Sequence, residues 1–148
     1  RWEAVVSLLA AGGASGLGQL VKVLVHRPRP GASLVTVIQQ LSNSYSFPSG
    51  HVLTYTAFFG FLCFLGVTLL KPSWARTLML ILLGSLIALI GLSRIYVGDH
   101  WASDVVGAYL LGSIWLVLTV YLYQWGKTRF FVRQPLAPEK PGPATAKN

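Results

Sequence analysis

"TLMLILLGSLIALIGLSRI", residues 77–95, decides the fold. It is apolar throughout from Leu78 to Leu92, broken only by small residues such as Gly84, Ser85 and Gly91. About 20 helical residues at about 1.5 Å each match a hydrocarbon layer about 30 Å thick, so the stretch reads as a helix crossing a bilayer. Stretches near 3–25, 52–70 and 105–125 read the same way. The expected fold is therefore all-α, an integral membrane bundle with about four transmembrane helices. A composition 53% hydrophobic and only 11% charged agrees, being far from that of a soluble domain. A secretory signal would be one apolar block near the start, not four spread along the chain.

The net charge of +8 invites a nucleic-acid reading, but its distribution argues against one. With four helices threaded through a membrane, Arg1, Lys71, Arg76, Lys127, Arg129, Arg133, Lys140 and Lys147 fall on one side. Lys22, Arg27, Arg29 and Arg94 fall on the other. The positive-inside rule puts the larger group in the cytoplasm. The single Cys63 can form no internal disulfide and reads as a buried thiol. Three histidines and one cysteine offer no zinc-type spacing, so no structural metal is expected.

Between the apolar stretches lie the connections. Gly12 and Gly16 have the spacing that lets helix backbones approach closely in lipid, and Gly84 and Gly91 read as packing residues too. The first helix should stop at "HRPRP" (26–30), where Pro28 and Pro30 remove amide donors. "SLVTVIQQLS" (33–42) could form a short surface helix, and Ser49 is placed to cap the second membrane helix. Asp104 is expected to open the fourth. Tyr55, Phe58 and Phe59 read as core or lipid-facing residues, and Trp101, Trp115, Trp125, Tyr121 and Tyr123 include interface anchors. Residues 1–133 form the membrane domain, and 134–148, rich in Pro, Ala and Lys, read as a disordered cytoplasmic tail.

Helix parity brings three polar clusters to one membrane face: Lys22 to Pro30, Pro48 to His51, and Ser93 to Asp104. That patch holds Lys22, Arg29 and Arg94 as cations, with His51, His100 and Asp104 as titrating groups. Cations beside the amides of Gly50 and His51, at the positive end of a helix, suit a multiply charged anion. Arginine adds forked donors that match phosphate oxygens. Two histidines in such a pocket suggest phosphoryl transfer, one attacking phosphorus and one protonating the departing oxygen. The four-residue step from His100 to Asp104 would let the carboxylate hold the imidazole's far nitrogen on a helical turn.

These stretches carry a resemblance. "KVLVHRPRP" (22–30), "PSGH" (48–51) and "SRIYVGDHWASD" (93–104) are similar to the three signature motifs of the type 2 phosphatidic acid phosphatase superfamily. Every specified position is met, in order, over more than half of the chain. The resemblance implies that His100 takes the phosphoryl group, with Asp104 as its orienting partner and His51 as general acid. It implies that Lys22, Arg29 and Arg94 bind the phosphate oxygens, helped by Ser49 and the Gly50 amide. It implies no metal ion and no other cofactor. His26 and Arg27 match no specified position and read as interface residues or secondary substrate contacts. Asp99 reads as pointing elsewhere on a helix. Integral members usually have six transmembrane helices, with the first motif after the third. Here it follows the first, so either two upstream helices are absent from this chain or the protein is unusually short.

The expected function is a metal-independent phosphatase in the plasma membrane, cleaving a lipid phosphate or diphosphate through a phosphohistidine at its extracytoplasmic face. Phosphatidate, phosphatidylglycerol phosphate, diacylglycerol pyrophosphate and isoprenoid diphosphates are the candidate substrates. Partners are the lipid substrate and the bilayer, with no nucleic acid. A non-catalytic membrane scaffold or transport component is the rival reading. A vanadate-dependent haloperoxidase is disfavoured, because those relatives are soluble.

Overall fold

The computed structural model describes residues 1–31 and 45–131. They form α1 (Trp2–Val25), α2 (Gly50–Leu69), α3 (Trp74–Tyr96) and α4 (Ala102–Phe130), with no strand among the described residues. All four helices are long and apolar enough to cross a membrane. The surface helix expected over 33–42 and the tail expected from 134 lie outside the described residues.

Local chemistry accounts for the helix ends. α1 stops where His26 turns left-handed (φ 53°) ahead of Pro28. α3 starts three residues earlier than expected because the Ser73 hydroxyl accepts the Arg76 amide at 3.2 Å, an N-cap. Ser49 does stand at the N-cap of α2, but its hydroxyl makes no capping hydrogen bond. α4 starts at Ala102, so Asp104 belongs to its first turn rather than opening it. There its carboxylate accepts the Trp101 amide at 2.9 Å, half of a capping box.

The central helix is α2, which packs against each of the other three, while α1 also touches α4 and does not meet α3. Lipid is as apolar as leucine, so close backbone approach, rather than burial from water, holds such helices together. α1 turns Val6, Ala10, Ala14, Gly18 and Lys22 inward, one every fourth residue. Gly12 and Gly16, expected as its contact stripe, instead face open space, as does Gly84. Large partner rings decide the facing. The Trp115 indole lies over Gly13, where a methyl would come within 2.1 Å of it, and donates to the Ala10 carbonyl at 3.2 Å. Gly91 does pack as expected, against Val105 and Tyr109. Between α2 and α4 a methyl on Gly112 would sit 3.0 Å from the Leu53 carbonyl oxygen, so only glycine permits this approach. One core cluster, with Val52, Leu53 and Val105, lies toward the start of α2; another, with Val6, Phe61 and Tyr123, lies toward the opposite end. Trp115 and Tyr123 are thus bundle residues, while Tyr121 and Trp125 are exposed.

This up-and-down order gathers the C-terminal ends of α1 and α3 with the N-terminal ends of α2 and α4. Backbone bonds tie the pieces together: Ser46 N–H to the Arg27 carbonyl at 2.8 Å, and Ser49 N–H to the Asp104 carbonyl at 3.3 Å.

Candidate active site

At this end a cavity of about 370 Å³ opens between α1 and α2. From α1 it takes Ser15, Gly18, Gln19 and Lys22; from α2, Gly50, His51, Thr54 and Tyr55. The connections add Arg29, Asp99 and His100. Of the residues singled out from the sequence, Lys22, Arg29, Gly50, His51 and His100 therefore share one cavity wall. Tyr55, expected to be core or lipid-facing, joins them.

The turn after α3 puts His100 there. Gly98 adopts φ 76°, a left-handed conformation that a side chain disfavours, and the chain reverses so that Asp99 and His100 both turn inward. His100 precedes α4 rather than riding on its first turn, and is only 4% exposed. Burial pushes its imidazole below the ordinary value of about 6.5, favouring the neutral form. Arg29 and Lys22 act in the same direction, and Asp99 and Asp104 oppose them.

Asp104 stands behind this wall, fully buried, and is held by three donors. Arg27 Nη1 donates to Oδ1 at 2.7 Å, and the Ser46 hydroxyl and the Trp101 amide both donate to Oδ2. The expected hydrogen bond to His100 is not closed: Nδ1 lies 3.6 Å from Oδ2, beyond bonding range, and has no hydrogen-bond partner. The geometry keeps Asp104 beside the imidazole while Arg27, Ser46 and Trp101 set its orientation. Ser49 is buried with its hydroxyl unpartnered, near the cavity but not on its wall. Arg94, at the end of α3, is half-buried off the wall; Nη2 donates to the Ser93 hydroxyl at 3.3 Å and Nε lacks a partner.

Three contributors escaped the sequence reading. Asp99 pairs with Arg29 through its carboxylate and, at 2.9 Å, its carbonyl; its other carboxylate oxygen lies 3.5 Å from His100 Nε2. Arg27 and Ser46 secure Asp104. A signal existed: the chain holds only four acidic residues, and two lie in the third polar cluster, where cations from the first cluster were already expected. Carboxylates in a low-dielectric setting require such partners.

A model of the PAP2 superfamily matches residues 2–128. The chain belongs to the PAP2 superfamily. Among its PAP2-related matches, phosphatidylglycerophosphatase B of Bacillus subtilis is 31% identical over 114 residues, covering 76% of this chain and 54% of that protein. An undecaprenyl-diphosphatase of Sulfolobus acidocaldarius is 33% identical over 114 residues, covering 74% of this chain and 50% of its own. The crystal structure of a transmembrane PAP2 type phosphatidylglycerolphosphate phosphatase from Bacillus subtilis superposes with a TM-score of 0.72 at 29% identity, over 88% of this chain and 63% of that one. The chain spans about half the length of these two curated relatives. Four apolar helices and membership of this PAP2 group make it a multi-pass membrane protein.

Proposed function

We propose that this chain forms the catalytic centre of a metal-independent lipid phosphate or diphosphate phosphatase. One observation carries the reading: His100 and His51 share a cavity with two cations, Lys22 and Arg29. His100 Nε2 attacks phosphorus and forms the N–P bond while the bond to the leaving oxygen breaks. His51, entering as imidazolium, gives that oxygen its proton. Water then attacks the phosphohistidine, and phosphate leaves with the site restored. Lys22 and Arg29 neutralise charge on the phosphoryl oxygens, helped by the Gly50 amide at the start of α2. Arg94 and Ser49 serve the same anion from behind the wall, each through a buried polar atom that lacks a partner.

A lipid suits the cavity's shape. Along α1 it runs from Lys22 back to Ser15, about 10 Å at about 1.5 Å per residue, toward the bilayer interior. A head group can reach His100 while its tail stays in the bilayer. The phosphatase names of the relatives fit this class, and the cation distribution supports a site on the extracytoplasmic face, with the C-terminal tail in the cytoplasm, in what this reading takes to be the plasma membrane.

Phosphate release from lipid phosphates in detergent, with EDTA and with or without vanadate, tests the reading. Turnover that survives the chelator and stops with vanadate is expected. No turnover by a full-length, folded sample on any lipid phosphate would favour the scaffold instead.

A further inference from the structure

The position of Asp99 carries a consequence for the kind of anion this cavity accepts, resting on the reading of the cavity as a phosphate site. Its carboxylate is 5% exposed, lies on the cavity wall, and stands between the Arg29 guanidinium and His100 Nε2. It cannot swing to solvent without abandoning Arg29, which holds both its side chain and its carbonyl. An anion that reaches Lys22, Arg29 and His100 must therefore come to rest beside a fixed negative charge.

We propose that Asp99 is a specificity-determining residue that selects a phosphate group still carrying a proton. A bare anionic oxygen facing Asp99 would be repelled, whereas a P–OH would donate a hydrogen bond to the carboxylate, a short charge-assisted contact. A terminal phosphate, monoester or diphosphate, holds its second proton up to a pH of about 6 and can meet this demand. A phosphodiester has no such proton, nor has sulfate. Asp104 takes no part in the selection: its oxygens are occupied by Arg27, Ser46 and Trp101.

Inorganic phosphate and sulfate are the probes. Each is titrated against the whole chain in detergent micelles near pH 6, with the rise in unfolding temperature as readout, so no turnover is needed. Phosphate should bind about tenfold more tightly than sulfate. Asp99→Asn, which keeps the shape and removes the charge, should bring the two within about threefold by strengthening sulfate. Wild-type affinities within threefold of each other overturn the proposal, and that result stands even if the variant does not fold. A variant that weakens both anions equally also overturns it, reducing Asp99 to a support for Arg29. So does binding of neither anion. Lipid turnover without anion discrimination sinks this proposal alone. Discrimination without turnover sinks the phosphatase reading and leaves the pocket's preference standing.

Discussion

Both ends of the bundle set a carboxylate against a cation, and they use it differently. At the end away from the cavity, Lys127 Nζ donates to Glu3 Oε1 and to the Tyr123 hydroxyl, each at 2.8 Å. The Tyr123 hydroxyl donates to Glu3 at 3.1 Å, and the Trp2 indole donates to the Tyr123 carbonyl at the same distance. Those polar groups are satisfied, and the charged pair is a third or more exposed. At the cavity end the acids are buried, Asp99 beside a mostly covered Arg29 and Asp104 beneath a partly exposed Arg27. All three buried side-chain atoms without a partner among the described residues, on Ser49, Arg94 and His100, lie there. Buried orphans cost stability, and a fold concentrates them where another molecule supplies the missing partners. The outer cluster clasps α1 to α4; the inner one, on the proposed reading, is completed by an anion.

The contrast breaks most directly at His100. His100→Ala should reduce lipid phosphate hydrolysis to background while the unfolding temperature stays near wild type. Retention of a tenth of the rate would remove His100 from the chemistry. His51→Ala should slow hydrolysis about 10²- to 10⁴-fold, the usual worth of a general acid, and the deficit should shrink for substrates with good leaving groups. A deficit independent of the leaving group would reassign His51 to binding.

Smaller effects sharpen the difference between clasp and site. Arg27→Ala leaves the fully buried Asp104 short of its charged partner. A loss of about 2 kcal/mol in denaturant unfolding is expected, together with lower activity. Gly126→Ala places a methyl 2.3 Å from the Trp2 ring. The strain should cost about 1–3 kcal/mol in the same assay and spare the turnover of the folded fraction; a matching fall in turnover would mean that the two ends are coupled. For pH, burial lowers the His100 pKa, so the imidazole remains neutral and nucleophilic into mildly acidic solution. The acid limb of kcat/KM belonging to His100 should lie below pH 6.5, and a limb above it contradicts the burial effect. Glu3→Gln, on the exposed pair, should barely move the unfolding temperature, and salt should erase even that shift.

Much of the site was legible in the chain. Long apolar runs admit only helices in lipid, because the backbone must satisfy itself, and helix parity then sends Lys22, His51, Arg94 and His100 to one end. That inference needs only lengths and order. What it could not reach was contact. Asp99 was assigned to a helix face that does not exist, because Gly98 reverses the chain before α4 begins. The Gly12 and Gly16 stripe failed for a related reason: spacing shows that a face is smooth, but the bulky ring opposite, here Trp115 over Gly13, selects which face turns inward.

By itself the sequence determined the number of spans in this chain and the end of the bundle where polar residues collect, since both follow from hydrophobic length and residue order, and the resemblance of its three motifs pointed to the superfamily. Only the tertiary structure decided the division of labour between the two aspartates, with Asp104 held behind the wall by Arg27 and Ser46 and Asp99 set on the wall beside Arg29. A carboxylate's role depends on which donors reach it within about 3 Å, and the Arg27, Arg29 and Ser46 donors come from 58 to 77 residues away along the chain.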